Sequence, residues 1–593
     1  MCGIAGIACY RADGPRVNRD ELVSLRDAMA QRGPDGAGIW IAAQAEVGLA
    51  HRRLSIIDLS DAGAQPMAAN GLQIVFNGEI YNYRALRAEL EGAGFRFTSH
   101  SDTEVLLHLY MQRGADMVAA LRGMYAFAIW DERNRGLLLA RDPFGIKPLY
   151  YADDGTTVRF ASQVKALKHV MTSGLAPDSA GHAGFFLWGS VPEPYTLYKG
   201  IRALPAGHTR WFDTRGAQAP RRFFNIADEF SSAESAAVVC DPRALDARLR
   251  ALLVDSVRHH LVADVPVGVF LSAGLDSATL TAIAAEELKQ PLRTVTLGFS
   301  EYRGSERDEV PLAQATATHY GAVQRTRWVT RDEFSKERER LLQAMDQPSI
   351  DGVNTYFVSK AAAETGLKVA ISGLGGDELF AGYPSFRDVP RMASCLAPFR
   401  LFPALGRGFR WVSAPLLKQF TSPKYAGLFE YGGSIAGAYL LRRGFFMPWE
   451  LPDVIGSDMA REGWEALQTL TCLDATIDGL RSDRLRVSAL EMNWYMRNQL
   501  LRDADWAGMA HSLEIRVPLV DIELLRGLAP LLAQRNAPTK RALGRTPRKA
   551  LPAAVLNRPK TGFSIPVREW LMGGGNPDNE RGLRGWARQV LPT

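Results

Sequence analysis

Two short stretches of this 593-residue chain combine small, hydroxylated and acidic residues in a way that can hold phosphates. The first is Leu271-Ser272-Ala273-Gly274-Leu275-Asp276-Ser277. An apolar run, Val265 to Leu271, precedes it, and a helical pattern, Ala278 to Leu288, follows it. A helix start exposes unpaired backbone N–H groups and carries partial positive charge, so it favours anions. Ser272, Ser277 and the turn amides can therefore cradle phosphates, and Asp276 can hold the magnesium that accompanies them. The second stretch, Ser372-Gly373-Leu374-Gly375-Gly376-Asp377, follows the apolar segment Leu367–Ile371. Ligands of open α/β sheets bind beyond the carboxyl ends of strands, so two such ends can face one triphosphate. Taken singly, each stretch is equally an ordinary strand–turn–helix corner with a capping Asp or Ser. Neither is a Walker A loop, because no Gly-Lys-Ser/Thr follows.

A different chemistry sits at the start of the chain. Cys2 has a small side chain that permits removal of the initiator Met. As the mature N-terminus it would have its own α-amino group as a base, titrating near neutrality. Downstream, His51-Arg52-Arg53 puts a guanidinium beside a strand end, where Arg53 can grip an α-carboxylate in two-pronged fashion. Asn77-Gly78-Glu79 follows another strand. Asn77 and the Gly78 N–H can form an oxyanion hole. Glu79 can accept an ammonium, and Ser101-Asp102 can take an α-amino group. Each of these is alone more often a buried strand residue, a turn or a cap.

These residues need elements to position them. Residues 1 to about 210 read as a strand-rich unit, with strands expected at Gly3–Ala8, Gly38–Ala42, Val47–Ala50, Gln73–Phe76, Ala126–Trp130 and Leu137–Ala140. Helices are expected at Arg19–Met29, Tyr83–Glu91 and Thr103–Gln112, the last with Asp102 as N-cap. A polar stretch at 213–242 reads as a linker. From 243 onward, helices alternate with buried strands at Gly268–Leu271, Thr294–Gly298 and Leu367–Ile371, the pattern of a parallel sheet with helices on both faces.

Composition sets the outer limits. At 47% hydrophobic and 23% charged residues the chain is globular, and its length calls for at least two domains. A net charge of +6 with no basic block argues against nucleic acid as a partner. The five scattered cysteines lack metal or disulfide spacing, no run is long enough to span a membrane, and no leader is evident. A cytoplasmic protein with no membrane partner is the expectation.

Taken together, the motifs resemble the glutamine-dependent asparagine synthetases over nearly the whole chain. MCGIAG, RGPD, HRRLSI, NGEIYN, SDTE, GMYAFAIWD and RDPFGIKPLY are similar to a class II glutamine amidotransferase. SAGLDS, SGLGGDELFAGY, MAHSLEIRVPLVD and RPKTGFSIP are similar to an ATP pyrophosphatase-type synthetase. The resemblance implies an Ntn-type αββα sandwich over 1–212 and a doubly wound parallel α/β domain with extra helices over 243–593. It implies Cys2 as nucleophile, and Arg53, Asn77, Gly78, Glu79 and Asp102 as the glutamine site. Leu271, Ser272, Gly274, Asp276, Ser277, Ser372 and Gly373 are implied at ATP, Asp276 and Asp377 at magnesium, and Lys560 at the α-phosphate. Glutamine, ATP with Mg2+, and aspartate or another small carboxylate (a sugar acid or a biosynthetic intermediate) are the implied reactants. A homodimer is an assembly the family allows.

The chain departs from the family pattern in three places that matter. Ala273 replaces a glycine and carries a cost if its φ is positive. Leu374 stands where the family commonly has a Glu that handles the amine's proton, which leucine cannot do. Trp506 replaces a usual basic residue. Leu374 and Trp506 together suit a larger or less polar acceptor if they are neighbours. A catalytically silent scaffold is disfavoured, since Cys2, Asp276, Asp377 and Lys560 are all present.

Overall fold

A computed structural model describes residues 2–11, 13–171, 175–236, 242–420, 422–558, 566, 570 and 583–592. Strands are numbered in chain order. In the first half, β1 (Gly3–Cys9), β2 (Gly36–Ile41), β3 (Val47–Arg53), β8 (Tyr150–Asp153), β9 (Thr157–Ala161) and β10 (Ile201–Ala203) form one antiparallel sheet, ordered β10-β8-β9-β1-β3-β2. A second sheet runs β12-β11-β7-β6-β5-β4, built from β4 (Met67–Ala69), β5 (Leu72–Ile80), β6 (Gly123–Asp131), β7 (Gly136–Arg141), β11 (His208–Asp213) and β12 (Gly216–Ala217). β13 (Arg221–Arg222) pairs with β11.

The two sheets share one core. Ile4, Val47 and Leu49 of the first pack with Val75, Ala126 and Leu139 of the second. Their outer faces are covered by helices. Leu22, Leu25 and Leu167 cover the first sheet, and Leu86, Val105 and Leu109 cover the second. Helix, sheet, sheet and helix therefore stack as four layers, because each strand alternates side chains between an inter-sheet core and a helix-facing core. The expected strands and helices of this half are present, most of them extended by one to four residues. One cap differs. Ser101 is the N-cap of helix Asp102–Arg113, its Oγ accepting the Thr103 N–H, so Asp102 lies in the first turn.

Residues 213–242 are folded over most of their described length. β12 and β13 extend the second sheet, and helix Ile226–Ser235 buries Ile226, Phe230 and Ala233 in the core of the second half. The apolar spacing within a polar composition accounts for that helix.

In the second half five parallel strands run β16-β15-β14-β17-β18: β14 (Val267–Phe270), β15 (Arg293–Phe299), β16 (Val323–Val329), β17 (Val369–Ile371) and β18 (Glu514–Arg516). The chain builds outward from β14 to one side, then returns to build on the other. β14 and β17 are thus hydrogen-bonded neighbours at the point where the strand order reverses. A crevice opens at such a point beyond the strand ends. Toward the C-terminus, a helical run widens into π-helical turns over Glu491–Leu501 and reaches across to the first half. Asn498 Oδ1 accepts the Glu193 N–H at 3.1 Å, and Arg497 Nε donates to the Phe144 carbonyl at 3.2 Å.

Candidate active site

β1 and β3 pair so that Gly3 lies opposite Arg52, which brings Cys2 and Arg53 to the same end of the sheet. The Cys2 N–H donates to Asn77 Oδ1 at 2.9 Å, and Cys2 Sγ lies 4.0 Å from the Leu54 carbonyl. Burial pushes the Cys2 thiol up, against the pull of the nearby amino terminus. Asn77 is fully buried, and its Nδ2 has no hydrogen-bond partner among the described residues. A buried amide donor without a partner is costly, and an oxyanion would satisfy it. Gly78 allows β5 and β6 to close: a Cβ there would sit 2.1 Å from the Met124 carbonyl oxygen.

Arg53 donates to the carbonyls of Ser60, at 2.8 Å, and Asp58. A guanidinium has five donors, so this anchoring still leaves it able to bind a carboxylate. Asp102 Oδ2 accepts the Ile80 N–H at 3.0 Å, and burial pushes its carboxyl up to about 6. The five residues expected at glutamine therefore lie around the ends of β1, β3 and β5.

Glu79 has a partner that sequence reading does not reveal. Arg516, at the end of β18 in the other half, lies 3.2 Å from Glu79 Oε2. Its Nε also donates to Glu514 at 2.6 Å, and its Nη1 donates to the His260 carbonyl at 2.9 Å. Burial and the nearby Glu514 hold the Glu79 carboxyl well above the usual range. A second link runs through Arg32. It pairs with both carboxylate oxygens of Asp505, at 2.6 and 2.9 Å, while its Nε donates to the Cys2 carbonyl at 3.1 Å. Arg122 does the same with Asp521, at 2.8 and 2.9 Å. Buried two-pronged pairs of this kind fix one relative placement of the halves.

The phosphate-side loops lie where the topology puts them. The Leu271 N–H donates to the Val295 carbonyl, and its own carbonyl accepts Thr296 Oγ1, so the strand end is rigid. Ser272 Oγ and Ser277 Oγ are 2.9 Å apart, and the Gly274 N–H donates to Ser272 Oγ at 3.1 Å. Ala273 is not among the residues with positive φ, so the feared left-handed cost is absent. Its methyl group is buried, and its N–H reaches Glu309 Oε2 at 3.4 Å. From β17, the Ser372 N–H donates to the Arg516 carbonyl at 2.8 Å. Gly373 passes close to Asp276: an added Cβ would lie 2.9 Å from the Asp276 Cβ.

Asp276 and Asp377 meet at one cation, the ammonium of Lys540. It bonds Asp276, and it lies 2.9 Å from Asp377 Oδ1. Two carboxylates from separate loops that already share one cation fit a magnesium ion. Among the described residues no group of three or more His, Cys, Asp or Glu side chains forms a metal site, so phosphate oxygens would have to complete the shell. Lys540 gave only a weak sequence signal, a cation at the opening of a short helix (Lys540–Gly544), where the dipole disfavours it. Lys560 lies outside the described residues. Arg558, two positions earlier, pairs with Glu309 at 3.2 Å, the same carboxylate that meets Ala273.

Leu374 and Trp506 belong to different cores. Leu374 packs partly buried on the main core of the second half. Trp506 is buried beside Tyr356 and Phe357, and its indole donates to Asp503 at 2.7 Å. Trp506 is thus a structural residue, and the pairing with Leu374 does not form.

A glutamine amidotransferase domain model matches residues 1–224, and an asparagine synthase model matches residues 248–591. The chain is 32% identical to glutamine-hydrolyzing asparagine synthetase 1 of Bacillus subtilis, over 100% of this chain and 90% of that protein. Asparagine synthetase 3 of the same organism is 30% identical over 88% of this chain and 80% of its own length. Asparagine synthetase B of Escherichia coli is 32% identical over 66% of each. No helix among the described residues is long and apolar enough to cross a membrane. With both family models matched in order and full-length relatives above 30% identity, the chain belongs to the glutamine-hydrolysing asparagine synthetases.

Proposed function

We propose that this synthetase makes asparagine from aspartate, ATP and the ammonia of glutamine. Aspartate is supported by the activity named for relatives matched over the whole chain. Coupling of two sites is supported by one observation: Arg516 pairs with Glu79 through its side chain and holds Ser372 through its carbonyl.

In the first site, Arg53 holds the α-carboxylate of glutamine, and Glu79 and Asp102 hold its ammonium. Cys2 Sγ attacks the side-chain carbonyl, and the oxyanion is received by Asn77 Nδ2 and the Gly78 N–H. Ammonia leaves, and water hydrolyses the thioester to glutamate.

In the second site, Ser272, Gly274 and Ser277 cradle the β- and γ-phosphates beside Leu271, Ser372 and Gly373. The aspartate side-chain carboxylate attacks the α-phosphorus, and pyrophosphate departs. Ammonia then attacks the acyl carbon and AMP leaves. Asp276 and Asp377 would hold magnesium with phosphate oxygens, and the bound ion would neutralise charge on the leaving pyrophosphate. Lys560 is proposed to steady the α-phosphate.

The test is glutamine-dependent pyrophosphate release across a panel of carboxylates. Asparagine formed from aspartate is the expected product. No turnover of aspartate, with turnover of a sugar acid or another carboxylate, would overturn the acceptor assignment.

A further inference from the structure

From Val389 to Phe429 the chain carries no Asp or Glu but six basic residues: Arg391, Arg400, Arg407, Arg410, Lys418 and Lys424. Helix Pro403–Phe420 occupies the middle of that stretch. One side of it is anchored. Gly406 is packed against the Glu430 backbone, Arg410 Nε donates to Glu430 at 2.6 Å, and Phe409 meets Phe429 edge-on at 4.6 Å between ring centres.

Another side is bare and apolar. Leu405, Val412 and Leu416 recur at seven- and four-residue spacing, which makes a stripe along the helix, with Phe409 at its border toward Phe429. Leu405, Val412 and Leu416 are 60% or more exposed; Leu401, before the helix, is 77% exposed and Trp411 is 81% exposed. Of the eleven large hydrophobic residues exposed among the described ones, seven lie between 401 and 416, so the exposure is concentrated on this segment. Single exposed apolar side chains need no explanation, but a contiguous patch marks a docking surface.

The charge around the patch selects the occupant. Arg410 is paired with Glu430, but Arg391, Arg400 and Arg407 form no ion pair among the described residues, and a second copy of this chain would bring the same three guanidinium groups to an isologous contact. An anionic bilayer presents dense negative charge over an apolar interior, which complements both features. Leu, Phe and Trp beside Arg and Lys, without acids, is the composition of helices that lie in the plane of such a surface.

We propose that the segment from Leu401 to Leu416 seats this protein on an anionic lipid bilayer as a reversible peripheral attachment. The expectation of no membrane partner rested on the lack of a spanning run. A helix lying in the interface needs no spanning length.

The test uses the full chain and sucrose-loaded vesicles of phosphatidylcholine with phosphatidylglycerol, against phosphatidylcholine alone. Co-sedimentation is expected with the mixed vesicles only, falling about tenfold at ~0.5 M salt as charge is screened. The double variant Leu405→Glu with Val412→Glu should lose binding while keeping glutamine-dependent synthesis at the parental rate. Brominated lipid should quench the parent more than Trp411→Phe. Absence of binding to the mixed vesicles, or equal binding by the double variant, overturns the proposal. So does a lipid-free parent dimer that the double variant breaks into monomers, since a second copy would then cover the face.

Discussion

Arg516 lies 3.2 Å from Glu79 and belongs to the opposite half of the molecule. A residue expected to sense the ammonium of glutamine is thus held by a strand whose neighbour carries the ATP-side loop. Replacing Arg516 by Met leaves Glu79 and Glu514 buried beside one another without their shared cation. Loss of one partner from a buried charge cluster costs about 3–5 kcal/mol. Chemical denaturation should show that loss. Arg516→Lys should fold, yet give a higher ratio of glutamine hydrolysed to pyrophosphate released, because a single ammonium cannot reproduce the fork. An unchanged ratio in the Lys variant would count against coupling through this residue.

If Asp102 holds the ammonium of glutamine as proposed, it should set a pH limit on glutamine use, because burial pushes its carboxyl up to about 6. Above that pH it is charged and accepts an ammonium; below it the acceptor is neutral. kcat/KM for glutamine should therefore fall about tenfold per pH unit below 6, since this ratio reports the free enzyme. The stability linkage has the opposite sense. With the folded pKa raised above the unfolded one, the contribution of Asp102 to stability is greatest below the unfolded value and is lost as pH rises through about 6. Asp102→Asn should abolish the glutamine inflection and leave ammonia-dependent synthesis in place.

Cys2→Ala should eliminate glutamine hydrolysis while ammonia-dependent asparagine formation continues at a rate within about twofold of the parent. Loss of both activities would contradict two separable sites. Because burial raises the thiol, alkylation of Cys2 in the free protein should speed up with rising pH through and beyond neutrality.

Lys540 is a cation shared by Asp276 and Asp377. Lys540→Met removes the cation that the two carboxylates share, and the melting temperature without metal should fall by about 1 °C for each 1 kcal/mol lost. Added Mg2+ should raise the melting temperature of the variant more than that of the parent, because the ion takes over the charge. Equal shifts in both proteins would show that the ion binds elsewhere.

Much of this was legible in the sequence for local reasons. The Leu271–Ser277 and Asn77–Asp102 motifs join an apolar run to turn chemistry and a helix start, signals carried by neighbours in sequence. What was not legible depends on distant neighbours. β18 reads Glu-Ile-Arg, and both charged side chains are fully buried, which periodicity argues against. Their bond to each other, the His260 carbonyl and the arrival of Glu79 from 437 positions earlier together make that burial tolerable. β16, with Gln324, Arg325 and Arg327 along an edge strand, shows too little apolar alternation to be seen. Whether Leu374 and Trp506 touch was likewise a question of packing, and they belong to separate cores.

The reversal of strand order at β14 and β17 also dictates when the enzyme comes to life. A chain is made from its N-terminus, and domains fold as they emerge. β14 appears about a hundred residues before β17 is there to lie beside it, and the Lys540 that balances the two aspartates comes later still. A polypeptide that ends before β17 therefore has only one of the two loops expected at phosphate. Consumption of ATP is expected to begin only with a nearly complete chain.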